Sequence, residues 1–158
     1  MNYFNNQFLL NLSFKGKRTY LHSTDIIPSL LKITGPLDNL SIKFHKLTSK
    51  QLKAQFISLA DVNKLRTSND ICILMTFSRQ GKQEILAINE TSEDVIGREP
   101  YNEDLVTHGS IIKGKEIFQK NPKYESFIHR AVGLNKKLLN SIIGKNFWLV
   151  TQIDIKKF

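Results

Sequence analysis

The densest group of chemically able side chains in this sequence lies between residues 15 and 25, where a predicted strand gives way to a predicted helix. It combines cations, a phenol, an imidazole, hydroxyls and a carboxylate, from Lys15, Lys17, Arg18, Thr19, Tyr20, His22, Ser23, Thr24 and Asp25. In an extended chain alternate side chains point the same way, so Arg18, Tyr20 and His22 would share one side. Because their side chains would lie on the same side of the chain, these three residues favour a polar site at the start of the helix.

A histidine beside a carboxylate is the usual arrangement for acid–base chemistry near neutral pH. Asp25 would orient His22 and leave its second ring nitrogen able to exchange a proton. His22 and Asp25 are therefore the candidate catalytic pair, and Arg18, Tyr20 and Thr24 are candidate substrate-binding residues. The amides of a helix start could also hold an anionic group. The alternative is structural: Asp25 caps the helix and His22 is a boundary residue.

A second candidate group lies in the long acidic connection 89–110, which contains Arg98. An arginine holds a carboxylate or phosphate through two parallel hydrogen bonds, so Arg98 is a further candidate for binding an anionic substrate. The alternative is an ion pair between Arg98 and a neighbouring acid at the surface.

A third group follows the long C-terminal helix. Steps of four, three and four residues place a polar stripe on one face, made of His129, Gly133, Lys136 and Asn140, with Arg130 and Lys137 beside it. His129, Arg130 and Lys136 form a second candidate site, and Gly133 would allow a close approach. The alternative is a solvated basic face.

The motifs of several large enzyme classes are absent. The sequence contains no phosphate-binding Walker loop, no dinucleotide-binding glycine pattern and no Gly-x-Ser-x-Gly elbow. Its four histidines and single cysteine are scattered, without the spacing of metal ligands. We therefore expect neither a cofactor nor a metal.

Composition indicates one folded domain spanning residues 1–158. No apolar run approaches a membrane span, and residues 1–7 lack the positive charge of a secretory signal, so we expect a cytoplasmic protein without membrane contact. The net charge of +9 is uneven: residues 84–104 carry seven acids and one Arg, and the rest is basic. A basic surface can bind polyanions, but it is also compatible with an ordinary solvated surface.

Hydrophobic periodicity predicts the elements. Residues 7–14 alternate as a strand, a short helix begins near residues 23–25 and stops at Gly35-Pro36, and residues 40–59 are predicted to form a hairpin. The apolar run 71–77 and the segment 85–88 predict a second hairpin with a turn at Gly81.

The C-terminal third predicts one long helix over residues 122–143, opened by Asn121-Pro122 and closed by Gly144, followed by a strand over 147–155. The apolar face of that helix is made of Tyr124, Phe127, Ile128, Ala131, Leu134, Leu138 and Ile142. We expect this helix to be the main core element.

Short connections favour antiparallel pairing, so the sequence predicts an α+β fold. We expect a largely antiparallel sheet of about six strands packed on the helix 122–143, with a short N-terminal helix. Over residues 7–90 the order of elements is loosely similar to the hot-dog folds, which handle acyl thioesters. The similarity is one of architecture only, because hot-dog folds place their long helix early and this chain places it late.

Three functions remain open. The favoured one is a small-ligand-binding protein or enzyme that acts on an acyl or carboxylate substrate in an apolar pocket. The second is a basic module that binds nucleic acid or an acidic partner through Arg18, Lys113, Lys115, Arg130, Lys136 and Lys137. The predicted core positions of most aromatic residues make nucleic acid the less favoured partner. The third is a non-catalytic interaction subunit. The sequence leaves the oligomeric state open.

Overall fold

The computed structural model describes residues 7–62, 71–123 and 126–157. By their contacts these residues form two compact units, one containing the described residues up to Glu99 and those from Thr151 onward, the other Pro100–Val150. The single domain expected over residues 1–158 stays a prediction. The elements in chain order are β1 (Gln7–Leu10), β2 (Phe14–Lys15), α1 (Ser23–Thr34), β3 (Asp38–Phe44), β4 (Lys50–Ile57), β5 (Ile73–Arg79), β6 (Lys82–Asp94), β7 (Arg98–Glu99), α2 (Glu103–Val106), β8 (Ser110–Lys113), β9 (Glu116–Gln119), α3 (Phe127–Ile143) and β10 (Gln152–Lys157).

The first unit contains a six-stranded sheet in the order β1-β4-β6-β5-β3-β10, and every neighbouring pair is antiparallel. This confirms the predicted α+β class with a six-stranded antiparallel sheet, a long C-terminal helix and a short N-terminal one. The central strands β5 and β6 carry continuous runs of buried apolar residues, at positions 73–75 and 85–88. The cross-strand neighbours Ile42, Met75 and Leu86 are completely buried.

The β5–β6 hairpin is the predicted one. Gln80 and Gly81 both take positive φ, at 51° and 75°, which is the geometry of a tight two-residue turn that matches the twist of the strands. A glycine adopts this conformation without steric cost, which is why the position could be read from the sequence.

The predicted hairpin over residues 40–59 is wrong. β3 pairs with β5 and β10, whereas β4 pairs with β1 and β6, so the two strands lie apart in the sheet. Alternation specifies which side of a strand is buried, but it does not specify the neighbouring strand.

The predicted strand 7–14 is divided. Between β1 and β2 the side-chain amide of Gln51 accepts from Leu12 N and donates to Leu12 O, both at 2.9 Å. A side chain thus satisfies main-chain groups that a sheet partner would otherwise satisfy.

Helix α1 begins at Ser23, within the predicted range, with His22 at the N-cap and Pro28 inside the helix. It ends as predicted at Gly35, whose φ is 68°. Ile26, Ile27 and Leu30 are almost completely buried, so the short helix supplies a large apolar surface to the core of the first unit.

In the second unit, α3 begins at Phe127 instead of residue 122, and residues 121–123 are not helical. Ser126 caps the helix by accepting a hydrogen bond from His129 N. The helix ends at Ile143, with Gly144 at a φ of 101°, as predicted. Tyr124, assigned to the apolar face, lies outside the described residues.

Candidate functional site

Arg98 joins the acidic connection to the stretch that was predicted as a site. β7 pairs in parallel with β2, which places Arg98 opposite Phe14. Its Nη1 atom donates to Gly16 O at 2.6 Å and to Arg18 O at 2.9 Å, and its guanidinium lies 5.3 Å from the Phe14 ring centre. The structure therefore brings Arg98 beside the predicted group, but its observed contacts hold the turn after β2.

Asp25 forms an ion pair with Lys15. The Asp25 Oδ1 and Lys15 Nζ atoms are 2.6 Å apart, and the side chains are 20% and 6% exposed. A carboxylate in the first turn of α1 also interacts favourably with the helix dipole. Lys15 belongs to the predicted stretch, but it was not identified there as the partner of Asp25.

His22 is held by a neighbour on the same helix start. Its Nδ1 atom shares a 2.6 Å hydrogen bond with the hydroxyl of Thr24, whose residue is fully buried. The Thr24 hydroxyl therefore orients the imidazole. Arg18 and Tyr20 are half-buried nearby in sequence. The assignment of His22 and Asp25 as catalytic, and of Arg18, Tyr20, Thr24 and Arg98 as substrate-binding, stays a prediction.

The polar stripe of α3 is engaged within the second unit. We call His129, Gly133, Lys136 and Asn140 the inner stripe. His129 is buried, its Nδ1 shares a 2.8 Å hydrogen bond with Ser126 Oγ, and its ring centre is 6.5 Å from that of Tyr101.

The remaining members of the inner stripe also make contacts. Gly133 faces Val106 in α2, Lys136 Nζ lies 2.8 Å from Glu103 Oε2, and Asn140 Oδ1 accepts from Trp148 Nε1 at 2.6 Å. The stripe read as a candidate site or a solvated face is therefore the packed face of this helix. The use of His129, Arg130 and Lys136 as a ligand site stays a prediction.

The opposite face of α3 is apolar and largely open to solvent. We call Phe127, Ala131, Leu134, Leu138 and Ile142 the outer stripe. Phe127 is 62% exposed, Ala131 and Ile142 are exposed, and Leu134 and Leu138 are half-buried. Each inner-stripe residue from His129 to Lys136 follows an outer-stripe residue by two positions. Two positions correspond to a rotation of roughly 200° about the helix axis, so the two stripes lie on opposite faces of α3. The expectation that Phe127 lies in the core is therefore wrong.

Cations border the outer stripe. Arg130 follows Phe127 by three positions and Lys137 follows Leu134 by three, so both lie on the same side of the stripe. Helix α3 contains no Asp or Glu. Lys137 is exposed, and the buried Nε of Arg130 has no hydrogen-bond acceptor among the described residues.

No protein-family model, curated protein or solved structure matches this chain.

The part of the chain that the structure describes contains no group of three or more His, Cys, Asp or Glu residues able to hold a metal. Among those same residues, no helix is long and apolar enough to cross a bilayer.

Burial raises the pKa of the Cys72 thiol, so this cysteine is a poor nucleophile where it lies.

The exposure of the outer stripe differs from the prediction, because the sequence assigns the most apolar face of α3 to the core. One signal pointed the other way: the inner stripe contains a glycine flanked by polar groups at helical spacing. A glycine lets another element approach a helix closely, so its face is a candidate packing face even when its neighbours are polar.

Proposed function

We propose that this chain is a non-catalytic interaction subunit that binds a partner through the outer stripe of α3. The observation that carries the proposal is the reversal of the helix: its polar stripe is packed, and its apolar stripe is exposed. Exposed apolar stripes of this kind often mark binding surfaces, because covering them removes apolar area from water.

The contacts at the start of α1 support this choice over the enzyme hypothesis. Lys15 and Asp25 form an ion pair with each other, and Arg98 donates to main-chain carbonyls of residues 16 and 18. These contacts give Arg98 and Asp25 structural roles that require no substrate. An enzyme or small-ligand function based on His22 stays a prediction.

A docking stripe must be dispensable for folding, and adjacent residues of α3 provide a matched test. Phe127→Ala should lower the free energy of unfolding by about 1 kcal/mol or less, because most of the ring is in water. Ile128 is only 7% exposed, so Ile128→Ala should cost about 2–4 kcal/mol. Urea denaturation measures both. A Phe127→Ala cost as large as that of Ile128→Ala would show that the stripe belongs to a core.

A photo-crosslinker tests the binding function directly. Benzoylphenylalanine in place of Ala131, in the middle of the outer stripe, should give one discrete adduct with a second protein in the cells that make this chain. The same group in place of the exposed Lys115 is the control and should give none. No adduct from position 131, or the same adducts from both positions, would contradict the proposal.

A further inference from the structure

We propose that the partner presents an amphipathic α-helix with acidic flanks, which lies along the outer stripe of α3. This inference rests on the proposed function and names the chemistry of the partner. The surface is the line of Phe127, Ala131, Leu134, Leu138 and Ile142, bordered by Arg130 and Lys137.

The shape of the surface selects a helix. The outer stripe advances by steps of four, three, four and four residues, which makes a ridge along the helix axis. Such a ridge fits between the side-chain rows of a second helix. An extended peptide would gain little, because the main-chain groups within a helix already bond to one another and cannot add a strand.

The charges select an acidic partner. Arg130 and Lys137 lie two turns apart on one side of the outer stripe, and α3 carries no acid to neutralise them. Acidic residues two turns apart on the partner helix would meet both cations.

The same charges disfavour a second copy of this chain. When two identical helices pack antiparallel through one stripe, the same flank of each faces the other. Arg130 and Lys137 would then face Lys137 and Arg130 of the other copy, and like charges brought together at an interface lower affinity. A nucleic acid would pair with the cations but would leave the apolar stripe in contact with water.

Two designed peptides test the proposal. Both are helical and share a Leu stripe; one carries Glu at the flanking positions and the other carries Lys. We expect the full chain to bind the Glu-flanked peptide with a Kd roughly five- to tenfold lower in fluorescence anisotropy, since two surface ion pairs are gained. The difference should shrink as salt is added, because salt screens exposed charges.

A charge reversal makes the test specific. Lys137→Glu should narrow or reverse the preference between the two peptides. Lys115→Glu is the control, because it changes the net charge of the protein by the same amount but lies in the β8–β9 turn. It should leave the preference between the two peptides unchanged. Equal effects of both variants would show that only the overall charge matters, and the proposal would be wrong. Ala131→Glu, which places a charge in the outer stripe itself, should lower the affinity of the chain for both peptides.

Other occupants give different results. Stronger binding of the chain to phosphatidylcholine vesicles containing phosphatidylserine than to the Glu-flanked peptide would overturn the proposal in favour of a membrane surface. Dimerisation in sedimentation equilibrium that Ala131→Glu abolishes would overturn it in favour of a second copy. If neither peptide binds while the crosslinker at position 131 still forms its adduct, the interaction function holds and the inferred partner chemistry is wrong.

Discussion

Gly133 lies so close to Val106 that a Cβ atom added to the glycine would be 2.9 Å from Val106 Cγ1. Val106 belongs to α2 and is completely buried. This approach brings α2 onto the inner stripe of α3, and it leaves the outer stripe on the far side of the helix. The contact between these two residues thus places the inner stripe in the packed interface of α3.

Gly133→Ala should destabilise the protein. Alanine favours a helix by about 1 kcal/mol over glycine, but forcing a methyl group into this contact costs about 1–3 kcal/mol. In a Val106→Ala background the obstructing methyl is gone, so Gly133→Ala should become neutral or stabilising. Urea denaturation of the four proteins in this cycle measures the coupling. An equal effect of Gly133→Ala in both backgrounds would contradict the contact.

Asp25→Asn should cost about 3 kcal/mol, because it leaves the buried ammonium of Lys15 without its carboxylate. The exposed pair of Lys50 and Asp94 is the control, because its atoms are also 2.6 Å apart. Asp94→Asn should cost about 1 kcal/mol or less, since water solvates both charges. Chemical denaturation compares the two, and similar costs would show that burial does not strengthen the Lys15–Asp25 pair.

His22→Ala tests the enzyme and small-ligand hypothesis. If that hypothesis is right, acyl thioesters or short carboxylic acids should raise the melting temperature of the wild-type protein and not that of the variant. The exposed His45 provides the control substitution, His45→Ala. A ligand-induced shift that survives His22→Ala would remove His22 from the site. If these ligands leave the melting temperature of the wild-type protein unchanged, the hypothesis is wrong for this substrate class.

Cys72 should make the stability depend on pH in the alkaline range. Burial raises the pKa of its thiol in the folded protein, so the unfolded chain ionises first, above about pH 8.5. The unfolded state then binds fewer protons than the folded state, and the free energy of unfolding falls as the pH rises. Cys72→Ala lacks this contribution, so its stability should fall less steeply between pH 8 and 10 in urea titrations. Parallel curves would show that the thiol does not titrate differently in the two states.

Local chemistry allowed several elements to be predicted. The turn at Gly81 and the helix ends at Gly35 and Gly144 all place glycine at positive φ, a preference that belongs to the residue itself. Two-residue alternation likewise located β3 and β4, because it reports which side of each strand is buried. The strand predicted over 147–155 is observed only from Gln152 onward. Strand neighbours were less predictable: β3 and β4 are adjacent in sequence but apart in the sheet.

The candidate site was predicted only in part. The stretch around residues 15–25 was recognised by its composition, but the pairing of Lys15 with Asp25 and the attachment of Arg98 across more than 80 residues were not. The Arg98 contacts join groups that are distant along the chain, and no local pattern encodes which distant group will arrive. The Lys15–Asp25 pair lies within one stretch, but it depends on how the chain between β2 and α1 folds, which composition does not specify.

By itself the sequence determined the α+β class, the turn at Gly81, the periodic faces of the long C-terminal helix and the end of that helix at Gly144. Only the tertiary structure decided which face of that helix is packed. Periodicity shows that α3 has an apolar face and a polar face, and burial usually favours the apolar one. Here Gly133 admits Val106, while Lys136 and Asn140 find partners in Glu103 and Trp148, so the polar face packs. Contacts with satisfied polar groups outweigh the local pattern, and they leave the apolar face exposed.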